Sequence, residues 1–426
     1  MKKISKALSS FLLLLFVAVA VSAQTSAPDK IEIFDMVWNT INKKYYDSHF
    51  NGVDWSKMRE VYQPRVEAAK SDDEFYRLVK RMVSELGDIH TSFRTPREVE
   101  AGKRNVTISV GVRLGEAEGK AVIFGVEPDT EAARAGLRAG MIVNKIDGRE
   151  TTEILAEKRP AIKSSSANAV NRKAFAQLLS GAENTSVLLS LSEPNDSAAR
   201  EVMLVRRAKN SPKEAETLFS SRRLPSDVGY IRFDEFDFKV LKTFKKSLTE
   251  LKDTKGLIID LRFNSGGYHY AMSEMAALFF SEKVSFGKTI TRTGKIPKIL
   301  GISLVPKETF VGDEDTERYA APVVILTSNY SASAAEHFAA GMQESGRATI
   351  VGGRSCGCML GIMGKTKIKG GELYVSQFDF VTALGKRIEQ VGVLPDVTVV
   401  PTVADAQAGF TKAINEAENL LISNQK

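Results

Sequence analysis

Two continuous apolar runs constrain the fold of this chain more than any other feature. Gly256–Leu261 reads GLIIDL and Val323–Ser328 reads VVILTS. Short runs of this kind, without polar alternation, are typical of strands buried on both faces, as in a parallel sheet covered by helices. Helical segments alternate with these and other short runs between about Ser221 and Pro401. The alternation predicts an α/β core.

The segments on either side of this core have different patterns. Apolar residues recur at spacings of three and four from Lys30 to Phe93, which predicts a helical subdomain. Short β-branched runs dominate Val106–Arg207 and predict a β-rich domain. Another apolar helix face follows Pro401. We therefore predict a helical subdomain at 24–100, a β-rich domain at 101–210, the α/β core at 211–403 and a C-terminal helix at 404–426.

The first 23 residues have the pattern of a secretory signal peptide. Basic MKKISK precedes the apolar run FLLLLFVAVAV, and V-S-A precedes Gln24. Cleavage after Ala23 would yield an exported protein, periplasmic or secreted. The apolar run is short for a membrane span, so we expect no stable membrane insertion after cleavage.

Charge and cysteine content narrow the possible functions. The formal net charge is +7, and it falls to +4 without the three lysines of the leader, at 56 basic against 52 acidic residues. So mild and dispersed a charge does not predict nucleic-acid binding. The two cysteines, Cys356 and Cys358, could form a disulfide beside a site, remain a thiol pair or simply pack. Two thiols do not make a structural zinc site, and we expect no metal and no cofactor.

Serine-rich LTSNYSASAAEHFAAG, from Leu326 to Gly341, lies where a buried strand gives way to a helix. Serine is a favoured helix N-cap and alanine a strong helix former, so the stretch could be purely structural. It could equally carry a nucleophile, because N–H groups at a helix N-terminus favour a developing oxyanion. These residues alone leave both interpretations open.

The β-rich segment resembles a PDZ domain. Its motif runs from Val126-Glu127-Pro128 through AARAGLRAG to Ile146-Asp147-Gly148. PDZ domains add an extended peptide to a sheet edge and hold its C-terminal carboxylate in a backbone nest. The resemblance implies a peptide-binding stretch here at Val110, Gly111 and Val112.

Four motifs occur in one order along the chain: LGDIHTSF, DLRFNSGG, SASAAEHFAAGMQESGRATIVGG and IEQVGVLPDV. Together they resemble the C-terminal processing, or tail-specific, serine peptidase family, over nearly the whole mature chain. The resemblance implies a multi-domain α/β protein with a ClpP/crotonase-like core. It also implies Ser333 as nucleophile, Ser331 as a capping neighbour, and Gly266 and Ala334 as oxyanion donors. Its substrates would be polypeptides.

The residue that would act as general base for Ser333 differs from that of many members of this family. They carry a lysine 25 positions after the serine, where this chain has Cys358. The chain is more similar to the branch of the tricorn protease core and the retinoid-binding proteins of the retina. That branch implies His90 as base, with Glu389 orienting it directly or through a hydroxyl such as Thr91, or a water.

Other residues near these motifs could take part instead. His269 and Lys365 are rival bases, whereas we assign His337 to packing and Glu336 to support of the helix N-terminus. Three functions remain open. One is an exported serine endopeptidase that cuts unfolded or C-terminally exposed chains. Another is a catalytically inactive relative that binds peptides or ligands, and the third is a scaffold that acts only through its PDZ domain.

Overall fold

The computed structural model describes residues 27–104, 106–196, 198–210, 219–296, 298–299, 302–303, 305–313 and 318–423. The predicted signal peptide, residues 1–23, lies outside the described residues. None of the helices in these ranges is long and apolar enough to cross a membrane.

Three helices that pack around one apolar core open the described chain. The elements are α1 Ala27–Lys44, a 3-10 turn at Phe50–Gly52, α2 Trp55–Glu67, α3 Asp72–Ser84, β1 Ser92–Arg94 and α4 Pro96–Lys103. Side-chain caps begin several of these helices. At the start of α3, for example, Ser71 Oγ accepts from Glu74 N.

An antiparallel sheet forms most of the middle region. Its elements are β2 Val106–Ser109, β3 Val112–Ala117, β4 Lys120–Val126, α5 Glu131–Arg134, β5 Ile142–Ile146, β6 Arg149–Glu150, α6 Thr151–Ala161, α7 Ala167–Leu178, β7 Ser186–Ser192, β8 Ala199–Val205 and β9 Arg207–Asn210. The strand order is β3-β4-β5-β7-β8, with β6 on β5, so β3 is an edge strand. Strands β2 and β9 pair separately and join the two ends of the region, with Val106 opposite Asn210.

The C-terminal half is the predicted α/β core. Its elements are β10 Phe219–Arg223, β11 Gly229–Phe233, α8 Phe238–Glu250, β12 Leu257–Asp260, α9 His269–Ala277, β13 Val284–Ile290, β14 Lys298–Ile299, β15 Ile302–Ser303, β16 Glu308–Val311, β17 Val323–Thr327, α10 Ala334–Glu344, β18 Ala348–Gly352, β19 Gly361–Ile368, β20 Gly371–Val381, β21 Val397–Thr398, α11 Val403–Gln407 and α12 Lys412–Ser423. The main sheet has the order β10-β11-β12-β17-β18-β21, and all its pairings are parallel except that of β10. The two apolar runs, β12 and β17, are neighbours at its centre, buried on both faces as predicted.

A second sheet joins the N-terminal helices to this core. Long strand β20 pairs with β1, β13 and β19. Leu360, Ile368, Leu373 and Val375, which lie in or beside β19 and β20, share one apolar cluster with the N-terminal helices. The helical region therefore packs directly on the core. This packing places the end of α3 and the segment that follows it near the main sheet.

The C-terminal region differs from the single helix predicted at 404–426. Two helices, α11 and α12, are separated by a turn in which Gly409 and Phe410 have φ of +73° and +61°. Positive φ is incompatible with a continuing right-handed helix, so the chain changes direction there. Helix α12 then covers the outer face of the parallel sheet with Ala413, Ala417 and Leu421.

Candidate active site

Ser333 lies at the junction between β17 and α10, as the N-cap of the helix. Its backbone has φ +55° and ψ −120°, a conformation that costs free energy for a residue with a Cβ and is concentrated at functional sites. Its N–H is shared between Cys358 O (3.1 Å) and the Glu336 carboxylate (3.0 Å). The side chain is half-buried. Ser331 is not part of the cap: its buried hydroxyl donates to Leu261 O at 2.7 Å, which ties the loop to the end of β12.

The glycine turn after β12 lies directly against Ser333. A Cβ added to Gly266 would come within 2.7 Å of Ser333 Cβ and 3.1 Å of Ala334 N. Only glycine leaves this space open for a substrate. Ala334 is the first residue of α10, so its N–H has no partner within the helix. The Gly266 N–H is held by Asn264 Oδ1 at 2.9 Å and would have to turn away from it to bind an oxyanion.

His90 lies in the turn after α3, next to the loop that carries Ser333. Its neighbour Ile89 packs against Ala332, Cys356 and Cys358, the residues around Ser333. Burial lowers the pKa of His90, and negative charge on Asp88 opposes that shift. Lys173 and Arg172 of helix α7 lower this pKa further. The imidazole is therefore held in its neutral, proton-accepting form.

Glu389 is buried near the turn that carries His90, but its hydrogen bonds go to the segment after Cys358. Its Oε2 accepts from Met359 N at 2.6 Å and Leu360 N at 3.2 Å. Burial raises the pKa of Glu389 to about 7, against opposing hydrogen bonds from Ser165 and Met359 N, and charge on Asp88 adds to the rise. The predicted relay through Thr91 is not formed, since Thr91 Oγ1 is bonded to Ser376. Glu389 thus holds the chain after Cys358 and faces Asp88.

The rival bases are engaged elsewhere. His269 Nε2 lies 2.9 Å from Thr309 Oγ1, and burial lowers its pKa to about 4. His337 Nε2 lies 3.0 Å from Phe286 O, and burial lowers its pKa to about 3, which agrees with a packing role. Lys365 is on the second sheet and pairs with Glu372.

Glu336 does more than the helix-terminal support predicted for it. It is fully buried and accepts from four donors: Ser333 N, Ser355 Oγ, Gly357 N and Cys358 N, at 2.6–3.0 Å. The two cysteines form a buried disulfide within the segment that Glu336 binds. Glu336 and Cys358 O together fix the backbone of Ser333.

Helix α7 of the middle region also contacts this segment. Ser166 Oγ donates to Cys356 O, and Asn168 Nδ2 donates to Ser355 O at 2.9 Å. No pattern in the sequence indicates this contact, because Ser166 and Cys356 are 190 positions apart and only the packing of the two regions brings them together.

A groove of about 360 Å³ runs between the edge strand β3 and helix α7. It is lined by Val112, Arg113, Leu114, Arg172, Phe175, Ala176, Leu179, Phe263 and Tyr330. Of the three residues predicted to bind peptide, only Val112 lines it. Val110 is buried in the apolar core of the middle region, and a Cβ on Gly111 would meet Thr130 at 2.6 Å.

Two protein-family models match separate parts of the chain. The model of peptidase family S41 matches residues 227–399, and that of the tricorn protease C1 domain matches residues 27–84. The α/β core of the chain belongs to peptidase family S41 over residues 227–399. It is a peptidase by this membership, and the S41 match includes Ser333, Gly266 and Glu389.

Individual relatives of the S41 peptidase cover most of its length. It is 27% identical over 412 residues to carboxyl-terminal-processing peptidase 3, chloroplastic, of Arabidopsis thaliana, covering 90% of this chain and 72% of that one. The solved photosystem II D1 C-terminal processing protease matches with a TM-score of 0.58 at 23% identity, over 89% and 96% of the two chains. Mature CPAF in complex with lactacystin matches with a TM-score of 0.73 at 14% identity, over 93% and 99%. These structural likenesses show a shared fold.

Proposed function

We propose that this S41 peptidase is an exported serine endopeptidase that cleaves unfolded or C-terminally exposed polypeptides. One observation carries the proposal: Ser333, in a strained conformation at a helix N-terminus, is in contact distance of Gly266 and of the Ala334 N–H. A nucleophile, space for a carbonyl and a free N–H donor thus converge on one point. The leader-like residues 1–23 support export.

In the proposed reaction, His90 Nε2 takes the proton of the Ser333 hydroxyl as Oγ attacks the substrate carbonyl carbon. The Ala334 N–H stabilises the oxyanion, joined by the Gly266 N–H once Asn264 Oδ1 releases it. His90 then gives the proton to the leaving amine. Water hydrolyses the acyl-enzyme by the same steps, with His90 again the base.

The middle region supplies substrate recognition in this proposal, as a PDZ-like domain. Its edge strand β3 has a free side next to the groove, so an extended chain can pair with it. Val112 is the predicted contact that the groove supports. Helix α7 forms one wall of the groove, and its first turn also binds the disulfide segment. The same helix therefore contacts both the proposed peptide-binding groove and the segment beside Ser333.

A fluorophosphonate probe tests the chemistry directly. We expect covalent labelling of the wild-type protein at Ser333, located by peptide mass spectrometry, and none in Ser333→Ala. The Ser331→Ala variant is the matched control and should still be labelled, because its hydroxyl is buried and bonded to Leu261 O. An unlabelled wild-type protein with intact groove binding would instead support the inactive, peptide-binding alternative. That alternative is favoured by one observation, the engagement of the Gly266 N–H by Asn264.

A further inference from the structure

The groove between β3 and α7 carries two arginine side chains on its walls. Arg113 of β3 and Arg172 of α7 both line it. None of the described residues that line this groove is an aspartate or a glutamate. Charges of one sign attract a ligand of the opposite sign, because complementary potentials guide its approach and fix its register. The electrostatics of the groove therefore favour an anionic group on the bound chain.

Aromatic rings hold the two guanidinium groups in place. The Arg113 guanidinium carbon lies 4.8 Å from the ring centroid of Phe263, and that of Arg172 lies 6.0 Å from the ring centroid of Tyr330. The two rings contact each other, with centroids 5.7 Å apart. A guanidinium stacked on a ring keeps the N–H donors at its edges available for a carboxylate. The pair of rings therefore brings both cations to one stretch of the groove.

Both guanidinium groups are without a carboxylate partner in the described ranges of the chain. There, neither Arg113 nor Arg172 forms an ion pair with an acidic side chain or donates a hydrogen bond to one. The charge of Arg113 acts on Asp234, but that carboxylate is paired with Arg232, whose Nε lies 3.4 Å from Oδ1. Burial lowers the pKa of Arg172, because the cation has lost part of its hydration. A bound carboxylate would compensate that loss.

Arg172 lies between the groove and the proposed catalytic residues. Burial lowers the pKa of His90, and the charges of Lys173 and Arg172 lower it further. The negative charge of Glu336, which accepts from Ser333 N, acts on Arg172 in turn. An acidic side chain bound at Arg172 is therefore close to the segment of the substrate that is cut.

The position of the two arginines distinguishes a side-chain carboxylate from that of a chain end. A free C-terminus is held by backbone N–H groups in the loop that precedes such an edge strand. Here the Gly111 N–H of that loop already donates to Ser109 Oγ at 2.9 Å. Arg113 lies beyond the loop as the second residue of β3, and Arg172 lies in the middle of α7. They therefore face the side chains of a paired chain rather than its terminus.

We propose that Arg113 and Arg172 select substrates that carry an aspartate or glutamate side chain in the segment bound along β3. The inference rests on the part of the proposed function that assigns this groove to the polypeptide substrate. The guanidinium N–H groups donate to the side-chain carboxylate, and the apolar lining residues Phe175 and Leu179 contact the neighbouring side chains of the substrate. A lysine at the same position of the substrate meets like charge and is rejected.

Peptide binding to the full-length Ser333→Ala protein tests this selection without cleavage. Fluorescence anisotropy is measured on labelled peptides in which one glutamate is moved along a neutral sequence, each beside its glutamine counterpart. We expect glutamate to lower Kd about tenfold at one position, and this difference to disappear in Arg113→Gln/Arg172→Gln. The matched control is Arg222→Gln, which removes an arginine 4.1 Å from the Tyr230 ring on distant β10 and should keep the preference.

Equal Kd values for glutamate and glutamine at every position, or a preference that survives the double variant, overturn the proposal. C-terminal amidation separates the two sources of a carboxylate: the amidated and free-acid peptides should bind alike, and a preference that follows the free C-terminus contradicts the proposed side-chain selection. Arg113 is exposed, so Arg113→Glu covers the case in which the double variant does not fold. It should weaken binding of the glutamate peptide and strengthen that of a lysine peptide, and unchanged binding of both counts against the proposal.

The fluorophosphonate experiment distinguishes failure of this inference from failure of the proposed function. A wild-type protein that is not labelled, but whose Ser333→Ala variant prefers glutamate, would contradict only the peptidase activity. A wild-type protein that is labelled at Ser333, but whose groove shows no preference, would contradict only the selection by Arg113 and Arg172.

Discussion

The backbone N–H of Ser333 donates to the carbonyl oxygen of Cys358 at 3.1 Å. The proposed nucleophile is therefore held by a residue of the disulfide, at the position where many relatives carry a lysine base. Cys356 N in turn donates to Ser331 O at 2.9 Å, two residues before Ser333. The disulfide segment and the Ser333 loop thus form one hydrogen-bonded unit.

This unit predicts that removal of the disulfide affects activity more than stability. A ring closed between residues two apart contributes at most about 2 kcal/mol, since the entropy removed from the unfolded chain grows with loop length. The Cys356→Ser/Cys358→Ser variant should therefore show a small fall in the free energy of unfolding but a kcat reduced about tenfold or more. Urea unfolding and peptidase assays measure both. A variant with full kcat would show that the bridge does not hold the nucleophile.

His90→Ala should lower kcat/KM by roughly a thousandfold, because nucleophile and base act as a unit. His269→Ala is the control and should retain most of the activity, since His269 Nε2 is bound to Thr309 Oγ1. Full activity in His90→Ala together with an inactive His269→Ala would assign the general base to His269, which follows the glycine turn.

The pH profile of kcat/KM should show one acid limb, centred below the ordinary histidine pKa of about 6.5. The direction follows from burial, which lowers the pKa of His90, so the imidazole stays neutral and active at pH values where an exposed histidine is protonated. Activity is lost only as the pH falls through this lowered pKa. A limb centred above 7 would argue for a different base.

Gly266→Ala should nearly abolish activity, with a loss of about a hundredfold or more, because its Cβ would fill the space beside Ser333 and Ala334 N. Gly364→Ala is a matched control: Gly364 has a similar φ of +93°, but nothing lies within 4 Å of an added Cβ. Both variants carry backbone strain of about 1 kcal/mol. Equal activity of the two would mean that the glycine turn does not face the substrate.

Ala176→Arg should raise KM for long chains several-fold and leave the cleavage of short peptides unchanged. Ala176 is an exposed lining residue of the groove beside β3, so the new side chain blocks the groove without disturbing a core. Gln177→Arg adds the same charge at the neighbouring exposed position, which does not line the groove. Should both variants behave alike on long chains, the groove has no role in recognition.

The sequence by itself determined the strands at the centre of the core and the caps of its helices. The two continuous apolar runs form β12 and β17, because a central strand covered on both faces keeps all of their apolar side chains from water. Capping serines and positive-φ glycines likewise act within a few residues of themselves. Local chemistry of this kind is readable from a single stretch of chain.

Only the tertiary structure decided which partners these groups find. Glu389 Oε2 accepts from the backbone after Cys358, and Asp88 Oδ1 accepts from Ser376 Oγ, 288 residues away. The C-terminal segment divides at Gly409, where Arg262 Nη1 binds Phe410 O across 148 residues. The physical reason is that burial and hydrogen bonding between distant segments depend on how sheets and helices pack. The spacing of residues along the sequence does not predict that packing.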